Sequence, residues 1–209
     1  MINDILQFSS FLDAFRKVER AVLEKGTDRQ ESDIDHSYML AMLGWYICMK
    51  EKLSLDVNKV IQYSLVHDLV EVYAGDTHFY NASAKDYASK ERREKTAMKR
   101  IIKKFPHFTD LPILIEKYEM KADAESRFVY ALDKVQPVLM IYLDHGRTWR
   151  KDGISYAMLR EKKDPKVALD PTVKKYWDEL VRLLKKDVKN FPDGKVQKTS
   201  LGQSKRRRS

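Results

Sequence analysis

Apolar residues recur along most of this chain at the three-to-four-residue spacing of amphipathic helices. No segment shows sustained alternation of apolar and polar residues, so essentially no sheet is expected. The pattern therefore predicts an all-α fold, a single bundle of about six to eight helices. The segments with this pattern are 4–25, 34–52, 56–73, 83–104, a helix opening at 109, 122–144 and 170–190, each to within a few residues.

Several boundaries carry helix start and stop signals. Gly26 and Gly75 each follow a periodic segment, as expected of residues just beyond a helix end. Asp56 is placed as an N-cap, and Pro171 lies where proline is tolerated in a first turn. Pro137 falls inside the long apolar helix and is expected to kink it.

Composition and length describe one globular unit. The chain has 209 residues, of which 43% are hydrophobic and 34% charged, which is typical of a folded single domain. Its one cysteine, Cys48, excludes an internal disulfide and favours a reducing compartment. No signal peptide is visible, and the longest apolar stretch, 37–49, is too short to span a bilayer. We therefore predict a cytoplasmic protein with no membrane partner.

The positive charge is concentrated at the end of the chain. The formal net charge is +9, and residues 194–209 contain six Lys or Arg and no acid, which leaves about +3 for the remainder. We predict a folded domain over 1–192 and a basic, disordered tail over 193–209. The tail is either a contact for nucleic acid, an address signal or a solvated end. No basic run interleaved with aromatics occurs elsewhere, which argues against a dedicated nucleic-acid binder.

Five polar residues interrupt apolar helical segments. His67, Asp68 and Glu71 share one turn directly after an apolar run, His36 lies on the core-facing stripe of the preceding helix, and Asp133 lies in an otherwise apolar stretch. Each alone has an ordinary explanation, such as a polar pair at a helix end or a structural histidine. Ionisable groups are costly to bury unpaired, and a shared divalent cation would offset that cost for three helices together.

The remaining charged and imidazole groups do not change this interpretation. Lys134, next to Asp133, is expected to point elsewhere and so not to neutralise it. His78, His107 and His145 belong to no second ligand motif, which favours a single metal ion. A helical domain without any metal is the plainest alternative.

The order His, His-Asp, Asp resembles the HD superfamily of metal-dependent phosphohydrolases, and the neighbouring sequence extends the likeness. Arg29-Gln-Glu-Ser-Asp-Ile-Asp-His36 is similar to the family's first-histidine segment, and Val66-His-Asp-Leu-Val-Glu-Val-Tyr-Ala-Gly-Asp-Thr77 to its central motif. Residues 91–97, 125–137 and 149–155 resemble the subgroup that contains 5'-deoxynucleotidases. The likeness covers about 8–177 and implies an all-helical domain with a central metal.

The resemblance also implies roles for individual residues. His36, His67, Asp68 and Asp133 match metal ligands, and Glu71 matches the general acid/base. Asp76 matches a catalytic residue near the sugar or the attacking water. Arg29, Arg20 and Thr77 match substrate-binding positions. The chain departs from several relatives at Ala21 and Val22, where an Arg-Trp or Gly-Trp pair is expected, and at Asp35, where Glu is usual.

The resemblance implies one divalent metal ion (Mn, Co, Zn, Fe, Ni or Mg) and a 5'-deoxynucleotidase that releases phosphate from deoxyribonucleoside 5'-monophosphates. The resemblance further implies a homodimer. Two alternatives stay open at this point. One is an HD phosphohydrolase of another nucleotide or metabolite phosphate, and the other is a non-catalytic nucleotide- or RNA-binding module that uses the basic tail.

Overall fold

The computed structural model describes residues 1–75 and 84–192, and within these ranges the fold is built from helices with one short hairpin. No described helix is long and apolar enough to cross a membrane. The strands are β1 (Glu19–Leu23) and β2 (Gln30–Ser32). The helices are α1 (Ile2–Phe15), α2 (Asp33–Glu51), α3 (Val57–Val66), α4 (Glu71–Ala74), α5 (Ala84–Lys104), α6 (Asp110–Met120), α7 (Ala124–Leu143), α8 (Arg147–Asp152), α9 (Tyr156–Val167) and α10 (Pro171–Lys186), followed by a 3₁₀ turn at Val188–Asn190.

Helix α7 is the centre of the larger core. It packs against α2, α3, α6, α9 and α10, which explains why its sequence is apolar on most sides. Phe128 of α7, Trp149 of α8 and Trp177 of α10 are fully buried in this core. Asp123 begins α7 with a capping box shared with Ser126. A helix enclosed by so many neighbours holds any polar side chain it carries away from bulk water.

A second apolar cluster lies where α1, α4, α5 and α6 meet. Phe11 and Phe15 of α1 are buried with Ile101 of α5 and Leu111 of α6. The Phe11 ring contacts that of Phe105 at a centroid distance of 5.2 Å. Helix α4, which carries Glu71, contacts α1 and α5. This cluster therefore supports the segment that follows His67.

The N-terminal boundaries differ from the sequence prediction. The first helix ends at Phe15 rather than near residue 25, and β1 pairs antiparallel with β2, with Glu19 opposite Ser32. The expectation of essentially no sheet was wrong in this segment, where β1 and β2 form one short hairpin. Glu, Arg, Ala and Leu are good helix formers, so the local sequence of β1 favours a helix, and tertiary pairing overrides that preference.

The hairpin is anchored on the corner between α7 and α8. The backbone N–H of Gly26 donates to Asp144 Oδ1 at 3.0 Å, and that of Leu23 donates to Thr148 Oγ1 at 3.1 Å. Gly146 turns this corner with φ +75°, and a side chain there would collide with the Asn190 carbonyl. Both the hairpin and the C-terminal 3₁₀ turn are thus fixed to the same corner.

The predicted third helix is interrupted at the functional residues. Helix α3 ends at Val66, residues 67–70 form turns, and α4 begins at Glu71. Helices α8 and α9 were not predicted. The all-α class is confirmed, since every other described element is helical. The predicted tail, 193–209, lies outside the described residues, so its boundary stays a prediction.

Candidate metal centre

His36, His67 and Asp133 meet in the interior, although they come from three separate segments. One ring nitrogen of each histidine and a carboxylate oxygen of Asp133 all lie within 4.8 Å of one another, and all three residues are buried. Helix α2 supplies His36, the end of α3 supplies His67, and α7 supplies Asp133. Two imidazoles and a carboxylate are ordinary ligands for a divalent transition metal.

The tautomer of His36 follows from its hydrogen bonds. Its Nδ1 lies 2.8 Å from Gln136 Oε1, while Gln136 Nε2 donates to Glu31 Oε1 at 3.4 Å. Because the Gln136 amide nitrogen faces the Glu31 carboxylate, its oxygen faces His36 and accepts from Nδ1–H. The lone pair of His36 Nε2 then points towards Asp133 Oδ1, 3.1 Å away. Burial, and then the charge of Arg20, lower the pKa of His36 to about 4, so the ring is neutral.

His67 is oriented in the same way. Its Nδ1 lies 2.9 Å from the carbonyl oxygen of Ser64, which can only accept, so Nδ1 carries the proton. Its Nε2 lies 3.0 Å from Asp68 Oδ2 and 3.9 Å from Asp133 Oδ1. That nitrogen is buried and has no hydrogen bond of good geometry. Burial opposes protonation of His67, but the two carboxylates outweigh it and raise the pKa of the ring.

A cation resolves this arrangement. When both rings are neutral, two imidazole lone pairs and the carboxylate oxygen Asp133 Oδ1 face one another, and acceptors that face each other without a donor are unfavourable in the interior. The carboxylates that raise the pKa of His67 also favour a metal cation at this point. The Nδ1–H of each ring donates to a backbone or amide oxygen, and metal-bound histidines usually have such an acceptor on the nitrogen that does not bind the metal. The residues therefore fit a divalent metal ion, as the motif predicted.

Asp68 lies at the edge of this cluster, where it binds Arg20. Its Oδ2 accepts from Arg20 Nη1 at 2.8 Å, and the same nitrogen donates to Asp33 Oδ1 at 3.0 Å. Arg20 Nε lies 3.6 Å from Glu31 Oε2. Asp68 is not in the 4.8 Å group, and its role as a ligand stays a prediction. Arg20, predicted to bind substrate, is held beside the cluster by these three acids.

The second oxygen of Asp133 has its own donors. Tyr118 donates its hydroxyl to Asp133 Oδ2 at 3.2 Å, and Lys134 forms an ion pair with the same oxygen. The expectation that Lys134 points elsewhere was wrong, because its flexible chain folds back onto the neighbouring carboxylate. Tyr118 and Gln136 were also missed. Gln136 carried a signal, since it follows Asp133 by three residues and so shares its helix face.

Glu71 lies one turn beyond His67 and is buried. Lys90 Nζ of α5 lies 3.5 Å from Glu71 Oε1 and 3.2 Å from Glu94 Oε1. Lys163 of α9, also missed by the sequence analysis, is buried as well. Burial, and then the charge of Lys134, lower the pKa of Lys163 to about 7, and Asp133 acts in the opposite direction. Lys90 and Lys134 therefore add positive charge beside Glu71 and Asp133, whereas Lys163 is only partly protonated at neutral pH.

The remaining predicted site residues are not brought to this cluster by any described contact. Arg29 has a largely exposed side chain next to β2 and forms an ion pair with Glu24. Asp76 and Thr77 lie outside the described residues. Their roles stay predictions.

Comparisons with known proteins identify the family of this chain. The family model described as HD domain matches residues 12–175. Proteins named 5'-deoxynucleotidase HDDC2 from Homo sapiens and Xenopus laevis are 32% and 30% identical over 140 residues, which is 66% of this chain in each case. The match spans about two thirds of each relative, at 66% and 67% of its length.

Solved structures give the same result. A predicted metal-dependent phosphohydrolase from Magnetospirillum magnetotacticum superposes with a TM-score of 0.77 at 26% identity, covering 90% of this chain and 93% of that one. A conserved hypothetical protein from Pyrococcus furiosus shares the fold, with a TM-score of 0.58 at 23% identity and coverage of 87% and 99%. The chain therefore belongs to the HD domain family and is an enzyme of the HD phosphohydrolase class.

Proposed function

We propose that this chain is a 5'-deoxynucleotidase, which hydrolyses deoxyribonucleoside 5'-monophosphates to the deoxynucleoside and phosphate. The observation that carries the proposal is the buried cluster of His36, His67 and Asp133, in which both imidazole lone pairs face a carboxylate oxygen. The names of the relatives support the substrate class. Asp68, adjacent to His67, is proposed as the fourth ligand.

A divalent cation held by these residues would stabilise negative charge on the phosphate and lower the pKa of a coordinated water. We assign the proton transfers to Glu71, the buried acid one turn beyond His67. It would take the proton of the attacking water as the new P–O bond forms. It would then return a proton to the 5'-oxygen as the old bond breaks, a role worth about 10²–10⁴ in rate.

Positive side chains around the cluster would hold the phosphate. Arg20 has a planar guanidinium suited to phosphate oxygens, and its three carboxylate partners fix its position. Lys134 supplies further positive charge from α7, beside Asp133. Arg29, Asp76 and Thr77 complete the proposed set on the sequence resemblance alone. We also propose that the chain is cytoplasmic and acts as a homodimer.

A phosphate-release panel tests the activity. Metal-free protein is reloaded separately with Mn, Co, Zn, Fe, Ni or Mg and assayed on deoxyribo- and ribonucleoside 5'-monophosphates, on 3'-monophosphates and on di- and triphosphates. We expect release from the deoxyribonucleoside 5'-monophosphates and little from the 3'-isomers. Preferential release from a triphosphate or from a non-nucleotide phosphate would reject the substrate class but not the metal centre. No release with any metal, from protein shown to bind metal, would reject the enzymatic proposal.

A further inference from the structure

The outer face of α2 is apolar, although it faces solvent. From Tyr38 to Met49, each exposed position of this helix carries a large apolar or aromatic side chain. Their exposed fractions lie between 45% and 64%. The five residues are Tyr38, Met42, Trp45, Tyr46 and Met49. No charged residue occurs between Asp35 and Lys50.

A helix on the surface of a monomer normally has a polar outer face, and one that is apolar all round is normally buried. The inner face of α2 is already packed, with Leu40, Ile47 and Cys48 in the main core. Contiguous exposed apolar residues on a folded domain mark a contact surface. The outer face of α2 is therefore expected to be covered in the functional protein.

The spacing of these residues indicates what covers them. Tyr38, Met42, Trp45 and Met49 follow one another at intervals of four, three and four residues. An alternation of four and three residues is the spacing of a seam between two packed helices. The partner surface is therefore expected to present a helix aligned with α2.

The seam is complementary to itself when a second copy runs antiparallel. With a two-fold axis between Leu43 and Gly44, Tyr38 faces Met49 of the second copy and Met42 faces its Trp45. Each aromatic ring then meets a methionine thioether, a favourable contact. The same axis places Asp35, near the start of α2, opposite Lys52 at its end, and opposes the two helix dipoles.

We propose that two copies of this chain associate through this face of α2, as an antiparallel helix pair about a two-fold axis. The inference rests on the homodimer named in the proposed function, and it is independent of the phosphatase activity. Two-fold association uses the same patch on both copies, which a self-complementary seam satisfies. An unrelated helical protein would not require the charges at the two ends of α2 to match each other.

The first experiment measures the mass of the full chain in solution by sedimentation. The parent is expected at twice its 24.6 kDa mass. Met42→Lys and Trp45→Glu each place a charge at the centre of the seam and are expected to weaken association about 30-fold or more, as for an interface hot spot. Ile113→Lys is the matched control, since Ile113 is 50% exposed but lies on α6; it is expected to leave the dimer intact.

The second experiment tests the register. Mixing the Met42→Lys and Trp45→Glu proteins brings opposite charges together only if residue 42 of one copy faces residue 45 of the other. We expect the mixture to recover dimers that neither variant forms alone. Circular dichroism checks that each variant is folded.

The outcomes are separable. A dimeric parent that both variants leave intact would overturn the assignment of the face but not the homodimer. A parent that stays monomeric across the working concentration range would overturn the second copy as the occupant, whether or not it hydrolyses nucleotides. Association broken by both variants but not restored in the mixture would overturn the antiparallel register.

Discussion

Asp133 and Asp144 are both buried aspartates on or next to α7, yet their surroundings differ in kind. Among the described residues, the hydrogen-bond partners of the Asp144 carboxylate are donors, namely the Gly26 N–H at 3.0 Å and Arg147 Nε at 2.8 Å. Asp133 has donors on one oxygen, whereas its Oδ1 faces the ring nitrogens of His36 and His67. A buried acid surrounded by donors fixes the fold. One that faces lone pairs is prepared for a cation.

The largest effect is expected for Asp133→Asn. Removing the charge eliminates a carboxylate ligand. Loss of a residue that only hydrogen-bonds to a ligand can cost roughly 100-fold in metal affinity, so loss of the ligand itself should cost more. Hydrolysis should become undetectable. The amide can donate to His36 Nε2, so the metal-free variant should remain folded. Elemental analysis and calorimetric metal titration make the measurement. Parent-like metal affinity would remove Asp133 from the site.

Glu71→Gln tests a third buried acid, which has a lysine partner as Asp144 has an arginine. If Glu71 transfers protons, turnover should fall about 10²–10⁴-fold while metal content stays at the parent level, because the amide keeps the shape of the side chain. Steady-state kinetics with the preferred 5'-monophosphate, paired with elemental analysis, separates the two effects. Unchanged turnover would show that Glu71 belongs with Asp144 as a structural acid.

Gln136→Leu removes the acceptor that orients His36 without touching the metal ligands. Outer partners of this kind typically contribute 10–100-fold in metal affinity, so we expect a loss in that range, measured by competition with a metal chelator. Gln7→Leu on the exposed face of α1 is the control and should have no effect. Parent-like affinity for the Gln136 variant would mean that the ring is oriented by packing alone.

Asp144→Asn should give the smallest effect, and it should change the stability of the fold rather than metal binding. Arg147 is 32% exposed in its side chain, so its ion pair with Asp144 is partly screened, and we expect a loss of about 1–2 kcal/mol in the free energy of unfolding. Metal affinity should not change. Chemical denaturation measures the loss, with Asp28→Asn, a fully exposed partner of Arg147, as the control. A weakened metal site would break the distinction between the two aspartates.

Much of this site was accessible from the sequence because its residues contradict their surroundings. Asp133 interrupts an apolar helix, and His36 lies on a stripe that otherwise builds the core. Helical periodicity also gave α2, α5 and α7 to within a few residues. These predictions depended on the periodicity of one segment or on a sequence motif, and both can be read from residues that are close together in the sequence.

The missed features depend on contacts between distant segments. The strand that carries Arg20 is composed of helix formers, and only pairing with β2 and anchoring near Asp144 explain its conformation. The break after Val66 was missed because the periodicity continues through it. Lys134 and Lys163 were missed for a related reason, since a lysine on a helix is usually solvated and sequence alone does not tell where its long chain bends.

The corner between α7 and α8 also bears on the order in which the protein folds. Its hydrogen bonds to the hairpin join residues 118 and 125 positions apart. Closing such long loops costs entropy and slows the steps that depend on it. We therefore expect the helices to assemble first and the hairpin to dock last. Arg20 would then reach Asp68 only at that final step, so the ion pair between these two residues would report that folding has finished.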